Sequence, residues 1–571
     1  MFKIKFFHKV ILQIIIFIII STNVHSKNTE RFYEGHKISN YFSGILSLND
    51  GEYASSLKFF KNLNGLEDKH YIYSQSYLYS LTNTNRLNES FKYSKKLKDK
   101  KLESFESDLI IGIYYLKNNQ LDLAKEYFKK KLKKNNQNPL HQLLSQSLIV
   151  WTSLEDLEFS SANKIIDKID PRFTNLKKIQ TAFLYCYYDK PETAEVFNKL
   201  SNDKSINFSR YDFFHANYLK NKNKNKESLS LVNQSLTKFP KNLILNQLKL
   251  DLKSNKEENY KNNFDCKKIS HNLAELFYIT ANALASENIY PLSNFYLNLA
   301  KFLNPNFISY DILIAENFYI NNKLIHAKKN YEKIKLNGRV YDWFSSKKIV
   351  SILILQKKND EAVKFLTKNF EDIKEPTVYE IYDFADFLKN NKKFDQSIEF
   401  YSKVLENITK EHELYSKATD GRGVAFERID QWEKAEVDLL NSLKAKPNQA
   451  YVINYLAYTW IEKGIKINEA LTMLEKANDL KKNNGYITDS LGWALFRLQK
   501  YEKAKVHLKE AVKLMPSDPV INDHYGDSLW MNGDKLQARY YWNYVLGLEK
   551  AEEELKIKIE NKLIFGPKLN T

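Results

Sequence analysis

The sequence predicts an all-α fold, an α-solenoid in which antiparallel helix hairpins repeat along the chain. Only 15 Gly and 11 Pro occur in 571 residues, too few for an all-β chain with a turn roughly every 8–12 residues. Apolar residues make up 43% of the chain and aromatic residues 14%, which is enough for an extended core. The third observation is a repeat, because small residues recur every 34 or 35 residues over most of the chain.

Three columns of residues define the repeat. Small residues form the first column, with Ser56, Ser90, Ala124, Ser293, Ala327, Ala362, Ser397, Ala435, Ala470, Ala504 and Ala538. A second small column precedes it by twelve residues and includes Gly44, Gly112, Ala182, Ala216, Ala281, Ala315, Ala385, Gly423, Gly492 and Gly526. A bulky column follows the first by four residues, with Phe60, Phe128, Leu297, Tyr331, Leu366, Tyr401, Leu439, Leu474, Leu508 and Trp542. Small residues let two helices approach and bulky residues fill the space beside them, so each repeat is predicted to be a helical hairpin.

The prolines support this division of the chain. A proline disrupts the interior of a helix but is tolerated in its first turn. Most of them fall at predicted repeat boundaries, namely Pro139, Pro171, Pro240, Pro305, Pro376, Pro447, Pro516 and Pro519. Pro191 and Pro291 fall at the turn inside a hairpin. No proline lies inside a predicted helix.

The repeat resembles the tetratricopeptide repeat (TPR). The residues that carry the resemblance most clearly are Leu491, Gly492, Leu495, Tyr501, Ala504, Leu508, Ala511 and Pro516. About fourteen such repeats are recognisable between residues 37 and 550. The resemblance implies a right-handed TPR superhelix that acts by binding other proteins. The stretches 454–458, 489–493 and 519–527 also resemble the end of exported bacterial TPR proteins, which implies a scaffold of the cell envelope.

The repeat divides the chain into successive segments. They are a signal peptide (1–26), a loose start (27–36), an N-terminal array (37–240) that is degenerate after residue 140, an irregular repeat or spacer (241–272), a middle array (273–414), a C-terminal array (415–550) closest to the consensus, and a capping helix with a tail (551–571). In the last segment, Leu555, Ile559 and Leu563 recur at helical spacing, which predicts an amphipathic helix over the final hairpin.

Residues 1–26 have the pattern of an export signal. Lys3, Lys5 and Lys9 precede an apolar run from Val10 to Ile20, which is shorter than the roughly 20 residues that span a bilayer. Small residues then offer a cleavage site after Ser26, although an uncleaved anchor remains an alternative. No later segment is long and apolar enough for a transmembrane helix. We therefore expect an exported protein, periplasmic or associated with the outer envelope, with peripheral association to the envelope left open.

The net charge is +18, but its distribution argues against nucleic acid as a partner. The lysines are spread along the whole chain, whereas nucleic-acid binding gathers Lys and Arg into a stripe. The charge leaves open a weak attraction to anionic polymers or membrane surfaces.

The sequence gives no indication of an enzyme, a cofactor or a metal. It lacks a phosphate-binding Gly-rich loop and a nucleophile elbow. The best metal candidates are Asp523, His524 and Asp527, but the neighbouring repeats supply no further His ligand. Cys186 is predicted to lie in the core and Cys266 in the irregular stretch. A disulfide across 80 residues is not favoured, and whether the two cysteines are free stays open.

The best candidate site is a peptide groove along the late repeats. In TPR arrays the first helices of successive repeats line the concave face. Their exposed positions give the groove strip, which comprises Asp420, Arg428, Asn454, Tyr458, Asp489, Trp493, Phe496, Arg497, Asp523, Asp527 and Trp530. Aromatic anchors beside acids predict a ligand segment with Lys or Arg next to an apolar side chain. The alternative is that the aromatic rings pack between repeats and the acids cap helix starts.

The predicted function is therefore a non-enzymatic scaffold of the cell envelope that binds partner proteins in a TPR groove. Two alternatives stay open. The chain could be an accessory or regulatory subunit of an envelope enzyme or secretion complex, or it could bind an anionic envelope polymer.

Overall fold

The computed structural model describes residues 35–130, 138–203, 209–254 and 262–567. The predicted signal peptide (1–26) and most of the predicted loose start lie outside these ranges. The chain divides into two compact units, a first unit up to Ser345 and a second unit from Ser346. The described residues contain α-helices, short 3-10 turns and one isolated bridge between Asn262 and Phe307, but no strand.

The helices of the first unit follow one another along the chain. They are α1 (Gly35–Asn49), α2 (Tyr53–Lys61), α3 (Tyr71–Asn83), α4 (Leu87–Asp99), α5 (Phe105–Lys117), α6 (Leu121–Lys130), α7 (Pro139–Trp151), α8 (Phe159–Asp167), α9 (Thr174–Tyr187), α10 (Thr193–Ser201), α11 (Ser209–Asn221), α12 (Asn225–Lys238), α13 (Leu243–Ser254), α14 (Ile269–Ser286), α15 (Tyr290–Leu303), α16 (Ser309–Ile320) and α17 (Leu324–Ile334). The next helix, α18 (Arg339–Leu355), contains the boundary between the units.

The second unit continues with the same succession. Its helices are α19 (Asn359–Glu371), α20 (Val378–Asn390), α21 (Phe394–Glu406), α22 (Tyr415–Glu427), α23 (Trp432–Ala445), α24 (Ala450–Glu462), α25 (Ile467–Leu480), α26 (Gly485–Arg497), α27 (Tyr501–Leu514), α28 (Pro519–Met531), α29 (Lys535–Leu546) and α30 (Glu553–Phe565). Consecutive helices pair as hairpins, for example α22 with α23, α26 with α27 and α28 with α29. Each hairpin also packs on the next one, as α27 does on α28.

The prediction of an all-α array of hairpins is confirmed, and the residue columns explain the packing. The first small column is fully buried, as at Ala435, Ala504 and Ala538. The second small column lies directly under the bulky column of the same hairpin. A methyl group built at Gly492 would lie 2.6 Å from Cγ of Leu508. The missing side chain therefore creates the space that the bulky one fills.

The turns inside the hairpins share a feature that the sequence analysis missed. Five residues before the first column, the backbone takes a positive φ, as at Asn85 (60°), Asn322 (56°) and Gly533 (86°). This left-handed conformation ends a helix by satisfying its last carbonyl groups. Asn and Gly adopt it most readily, so their recurrence at this position is a signal that the sequence does contain.

The first unit differs from a simple array because its early and late hairpins are in contact. Helix α15 packs on α3 and α5, more than 170 residues earlier in the chain. The side-chain amide of Asn294 donates to the hydroxyl of Tyr53 at 2.7 Å, and that of Asn83 donates to the carbonyl of Pro291 at 3.0 Å. In this unit, contacts between neighbouring hairpins are therefore supplemented by contacts between hairpins that are far apart in sequence.

The two cysteines form a disulfide, contrary to the preference drawn from the sequence. The Cα atoms of Cys186 and Cys266 are 5.9 Å apart and their sulfur atoms are bonded. The segment that carries Cys266 returns to α9, where the rings of Phe264 and Phe183 lie 5.3 Å apart. This return brings together two cysteines that are 80 positions apart in sequence. Their separation in sequence alone does not indicate that they are close in space. Within the predicted irregular segment (241–272), the structure describes α13 and this returning stretch, while residues 255–261 lie outside the described ranges.

The last helix covers the final hairpin. Ile559 of α30 is fully buried, and Leu555 and Leu563 pack against the core that contains Trp542 and Val545. Among the described residues, no helix has both the length and the apolar character that a membrane crossing requires.

Candidate functional site

All residues of the groove strip except Arg428 lie on the first helix of a hairpin in the second unit. Asp420 lies on α22, and Arg428 directly follows it. Asn454 and Tyr458 lie on α24. The others lie on α26 (Asp489, Trp493, Phe496, Arg497) and on α28 (Asp523, Asp527, Trp530). Their contacts divide the strip into an upstream half, up to Tyr458, and a downstream half, from Asp489.

A buried ion pair and an aromatic stack connect α26 with α28 in the downstream half. Nδ1 of His524 lies 3.0 Å from Oδ2 of Asp489, and both side chains are almost inaccessible to solvent. The indole of Trp493 stacks on the ring of His524 at 4.0 Å and on Phe496 at 4.8 Å. Burial disfavours the charged imidazole, but the carboxylate of Asp489 outweighs it, so the pKa of His524 is raised.

The remaining acids of the downstream half bind a lysine of the capping helix. Nζ of Lys562 donates to both carboxylate oxygens of Asp523 at 2.7 and 2.8 Å and to Oδ2 of Asp527 at 2.8 Å. Burial and the neighbouring Asp523 raise the pKa of Asp527 to about 7, despite the opposing effect of Lys562. The downstream half of the strip therefore already binds a basic side chain, Lys562, which belongs to the protein itself.

Trp530 is also covered by its own chain. Lys535 and Arg539 of α29 lie over its ring at 5.1 and 5.0 Å, and Trp542 lies 5.4 Å away. Gly566, just after α30, approaches so closely that an added methyl would lie 2.6 Å from the indole. The downstream half is thus filled by internal contacts.

These contacts correct one part of the alternative interpretation. The aromatic rings do pack between repeats, but the acids do not cap helix starts. Helix α26 is capped by the side chain of Asn484, and α28 by that of Asp518. Asp489 instead connects α26 with α28 through His524, and Asp523 connects α28 with the capping helix α30 through Lys562.

The upstream half is different, because Asp420 and the side-chain oxygen of Asn454 have no hydrogen-bond partner among the described residues. The carboxylate of Asp420 is half-buried and forms no hydrogen bond with a described residue. Burial raises its pKa to about 6, with Lys389 opposing and Asp386 adding to the shift. Oδ1 of Asn454 is buried without a hydrogen-bond partner in the described structure. The ring of Tyr458 is half-buried, and burial raises the pKa of its hydroxyl.

Two residues of the strip are arginines. Arg428 is exposed, with Nε 3.5 Å from Oε2 of Glu427, which also accepts a hydrogen bond from Tyr455 at 2.8 Å. Arg497 lies 3.9 Å from Glu462, which accepts a hydrogen bond from Nε1 of Trp493 at 2.6 Å.

The sequence analysis missed several residues that shape the site. Lys562 was hidden because its helix was interpreted only as a cap. Asp386 on α20 escaped notice because the longer connection before α22 shifts the repeat. Asp386 accepts hydrogen bonds from Tyr401 at 3.1 Å and Lys389 at 2.8 Å, and it lies close enough to Asp420 to affect its pKa.

The described ranges offer no cluster suited to a metal ion. No group of three or more His, Cys, Asp or Glu side chains there could hold an ion. The set that sequence analysis considered is engaged otherwise, since His524 pairs with Asp489 while Asp523 and Asp527 share Lys562.

Comparison with known proteins places a tetratricopeptide repeat in this region. Residues 490–518 match the tetratricopeptide repeat family model, which confirms the resemblance for the segment where it was clearest. A TPR repeat-containing protein of Pseudomonas aeruginosa is 26% identical over 180 residues, 31% of this chain and 29% of that protein. The match thus spans less than a third of the relative's own length.

Two solved structures are among those similar to this chain. YrrB, described as a TPR protein with an unusual peptide-binding site, is 17% identical with a TM-score of 0.27, and the match covers 34% of this chain and 97% of YrrB. The Cut9–Hcn1 hetero-tetramer of APC/C is 13% identical with a TM-score of 0.36, over 87% of this chain and 91% of the matched chain.

Proposed function

We propose that the protein is a scaffold of the cell envelope, and that the upstream half of the groove strip binds a segment of a partner protein. A single observation carries this proposal: Asp420 is half-buried and has no hydrogen-bond partner among the described residues, whereas Asp489, Asp523 and Asp527 downstream each contact a basic side chain. Oδ1 of Asn454 in the upstream half is also unpaired, as is the second carboxylate oxygen of Asp527. A buried polar group without a partner costs free energy. A ligand that supplies the missing donors would recover that free energy.

The contact made by Lys562 indicates the chemistry of the ligand. Lys562 reaches Asp523 and Asp527 from a helix whose neighbouring residue Leu563 packs on the same hairpin. A partner segment with Lys or Arg beside an apolar side chain would make the same type of contact at Asp420. Its apolar side chain would lie against Tyr458, and a backbone N–H would donate to Oδ1 of Asn454.

The envelope setting rests on the sequence pattern of residues 1–26 and on the resemblance of the late repeats to exported proteins. Cell fractionation with an antibody against the chain tests it. Recovery with periplasmic or membrane fractions, shortened at the N terminus, supports the proposal. Recovery of the full-length chain with cytoplasmic markers contradicts it.

A cross-linking pull-down from native cells, read by mass spectrometry, tests the binding site. Asp420→Lys reverses the charge that would hold the ligand, and Tyr458→Ala removes the apolar contact. The matched control is Asp479→Lys with Tyr540→Ala, because both residues are exposed on the second helices of their hairpins. Loss of one partner only in the groove variant supports the proposal. An unchanged partner set, with helicity intact by circular dichroism, overturns it.

A further inference from the structure

The first unit contains a cleft where its early and late hairpins meet. The wall on one side is formed by α2 and by the turn between α3 and α4, and on the other side by α15, α16 and α17. The cleft has a volume of about 550 Å³. A smaller cavity of about 270 Å³ adjoins it and shares Lys301, Asp311, Asn330 and Lys333 with it. Sites for small ligands typically measure roughly 300–1,000 Å³, so the main cleft is large enough for one.

The cleft carries an excess of positive charge. Its two carboxylates already have basic partners: Asp311 lies 2.5 Å from Nζ of Lys301, and Glu52 lies 3.5 Å from His326. Lys329 and Lys333, by contrast, have no carboxylate within ion-pair distance among the described residues, and both are exposed. They are also four residues apart on α17, where like charges repel each other. An anion between them would relieve this repulsion.

The other lining groups suit a sugar. Asn85, Asn298 and Asn330 line the cleft. The side-chain nitrogen of Asn298 already donates to Asn83 and Asn294, and that of Asn330 donates to the carbonyl of His326. Their side-chain oxygens are acceptors for hydroxyl groups. The apolar part of the wall includes Tyr53 and Phe318, whose ring centroids are 5.9 Å apart. Each residue is only 7% exposed, so a ligand would meet only the exposed part of each ring. The hydrogen bond from Asn294 to the hydroxyl of Tyr53 holds this ring in position. The combination of cations, amides and rings offers contacts to the charge, hydroxyl groups and C–H face of an acidic sugar.

We propose that this cleft binds an anionic glycan, a short run of sugars that bear carboxylate or phosphate groups. Lys329 and Lys333 hold the charged group, the amides bind hydroxyl groups, and the rings pack against the apolar face of a sugar. The adjoining cavity receives the next sugar of the run. This site lies in the first unit and shares no residue with the groove strip, so either proposal can fail without the other.

Isothermal titration calorimetry on the full chain tests the proposal with four probes. Digalacturonic acid and glucose 6-phosphate represent the two kinds of charge, cellobiose is a neutral sugar, and inorganic pyrophosphate is an anion without a sugar. We expect at least one anionic sugar to bind more tightly than cellobiose and pyrophosphate. Lys329→Ala with Lys333→Ala should weaken that binding about tenfold or more, because two charge-assisted contacts are lost.

The matched control is Lys58→Ala with Lys328→Ala, which removes the same charge from residues of α2 and α17 that do not line the cleft. Retained binding in this control supports the site, and circular dichroism verifies that both variants are folded. The proposal is overturned if neither anionic sugar binds, or if pyrophosphate or cellobiose binds as tightly. An equal loss in the control, or unchanged binding in the Lys329 and Lys333 variant, also overturns it.

Discussion

Gly492 is a position at which the packing between the paired helices of a hairpin can be tested. A methyl group there would lie 2.6 Å from Cγ of Leu508 and 3.1 Å from its backbone nitrogen. Ala favours a helix over Gly by up to about 1 kcal/mol, but overpacking a core costs about 1–3 kcal/mol. We therefore expect Gly492→Ala to lower the free energy of unfolding by about 1 kcal/mol in urea denaturation. Gly35→Ala, in open space on α1, is the control. A stabilised Gly492→Ala variant would contradict this account of the columns.

Protonation of Asp527 and His524 makes stability depend on pH near neutrality. Asp489, Asp523 and Lys562 face these groups. The pKa of Asp527 is raised to about 7 and that of His524 is also raised. The native state therefore keeps protons that the unfolded chain releases, and the free energy of unfolding falls as pH rises through these values.

We expect the urea midpoint to fall between about pH 5 and pH 8, and Asp527→Asn to reduce this slope. Part of the slope will remain, because Asp420 has its pKa raised to about 6 and acts in the same direction. An identical slope in wild type and variant would show that Asp527 titrates as an ordinary carboxyl group.

The attachment of helix α30 to the final hairpin depends on the side chain of Lys562. The side chains of Asp523 and Asp527 are only 9% and 4% exposed, and both bind Lys562. Lys562→Ala would leave two buried carboxylates without their cation, which costs about 3–5 kcal/mol. We expect a loss of that order by urea denaturation, together with faster hydrogen exchange in α28 and α30.

The same helix provides the control for this prediction. Lys558 pairs with Glu554 on the surface, where the side chains are 63% and 79% exposed. Lys558→Ala should change the free energy of unfolding by less than about 0.5 kcal/mol. If the two variants are equally stable, Lys562 does not hold α30 on the final hairpin.

At the scale of the helices, the sequence predicts the fold well because its signals are local. The pairing of a small residue such as Gly526 with a bulky one such as Trp542 predicts which two helices are in contact. The position of Ile559 predicts which face of the capping helix is buried. The candidate site is predicted less well, because exposure depends on partners from other elements. No residue near Asp523 in sequence indicates that its carboxylate will bind Lys562, which lies 39 residues later. Likewise, the sequence does not indicate that Asp420 will lack such a partner.

At the scale of the whole molecule, the first unit shows the limit of reasoning from a repeat. Contacts within a hairpin and between neighbours recur with the period, and they can be read from it. The contact of Asn294 with Tyr53 joins residues 241 apart and occurs once, so no periodicity reveals it. The same is true of the ion pair between Arg210 and the buried Glu275. These residues are 65 positions apart in sequence, and Nε of Arg210 lies 2.7 Å from Oε1 of Glu275.

The disulfide tests how much these unique contacts stabilise the first unit. Closing a loop across 80 residues reduces the entropy of the unfolded chain, which is worth about 4.5 kcal/mol in the chain-entropy model. Cys186→Ala with Cys266→Ala should lower the free energy of unfolding of the first unit by up to this amount, measured by hydrogen exchange of α9 and α11. Exchange in α26 to α29 is the internal control and should not change. If the loss is only a few tenths of a kcal/mol, the unfolded chain is already held compact in this region, by contacts such as that of Phe183 with Phe264.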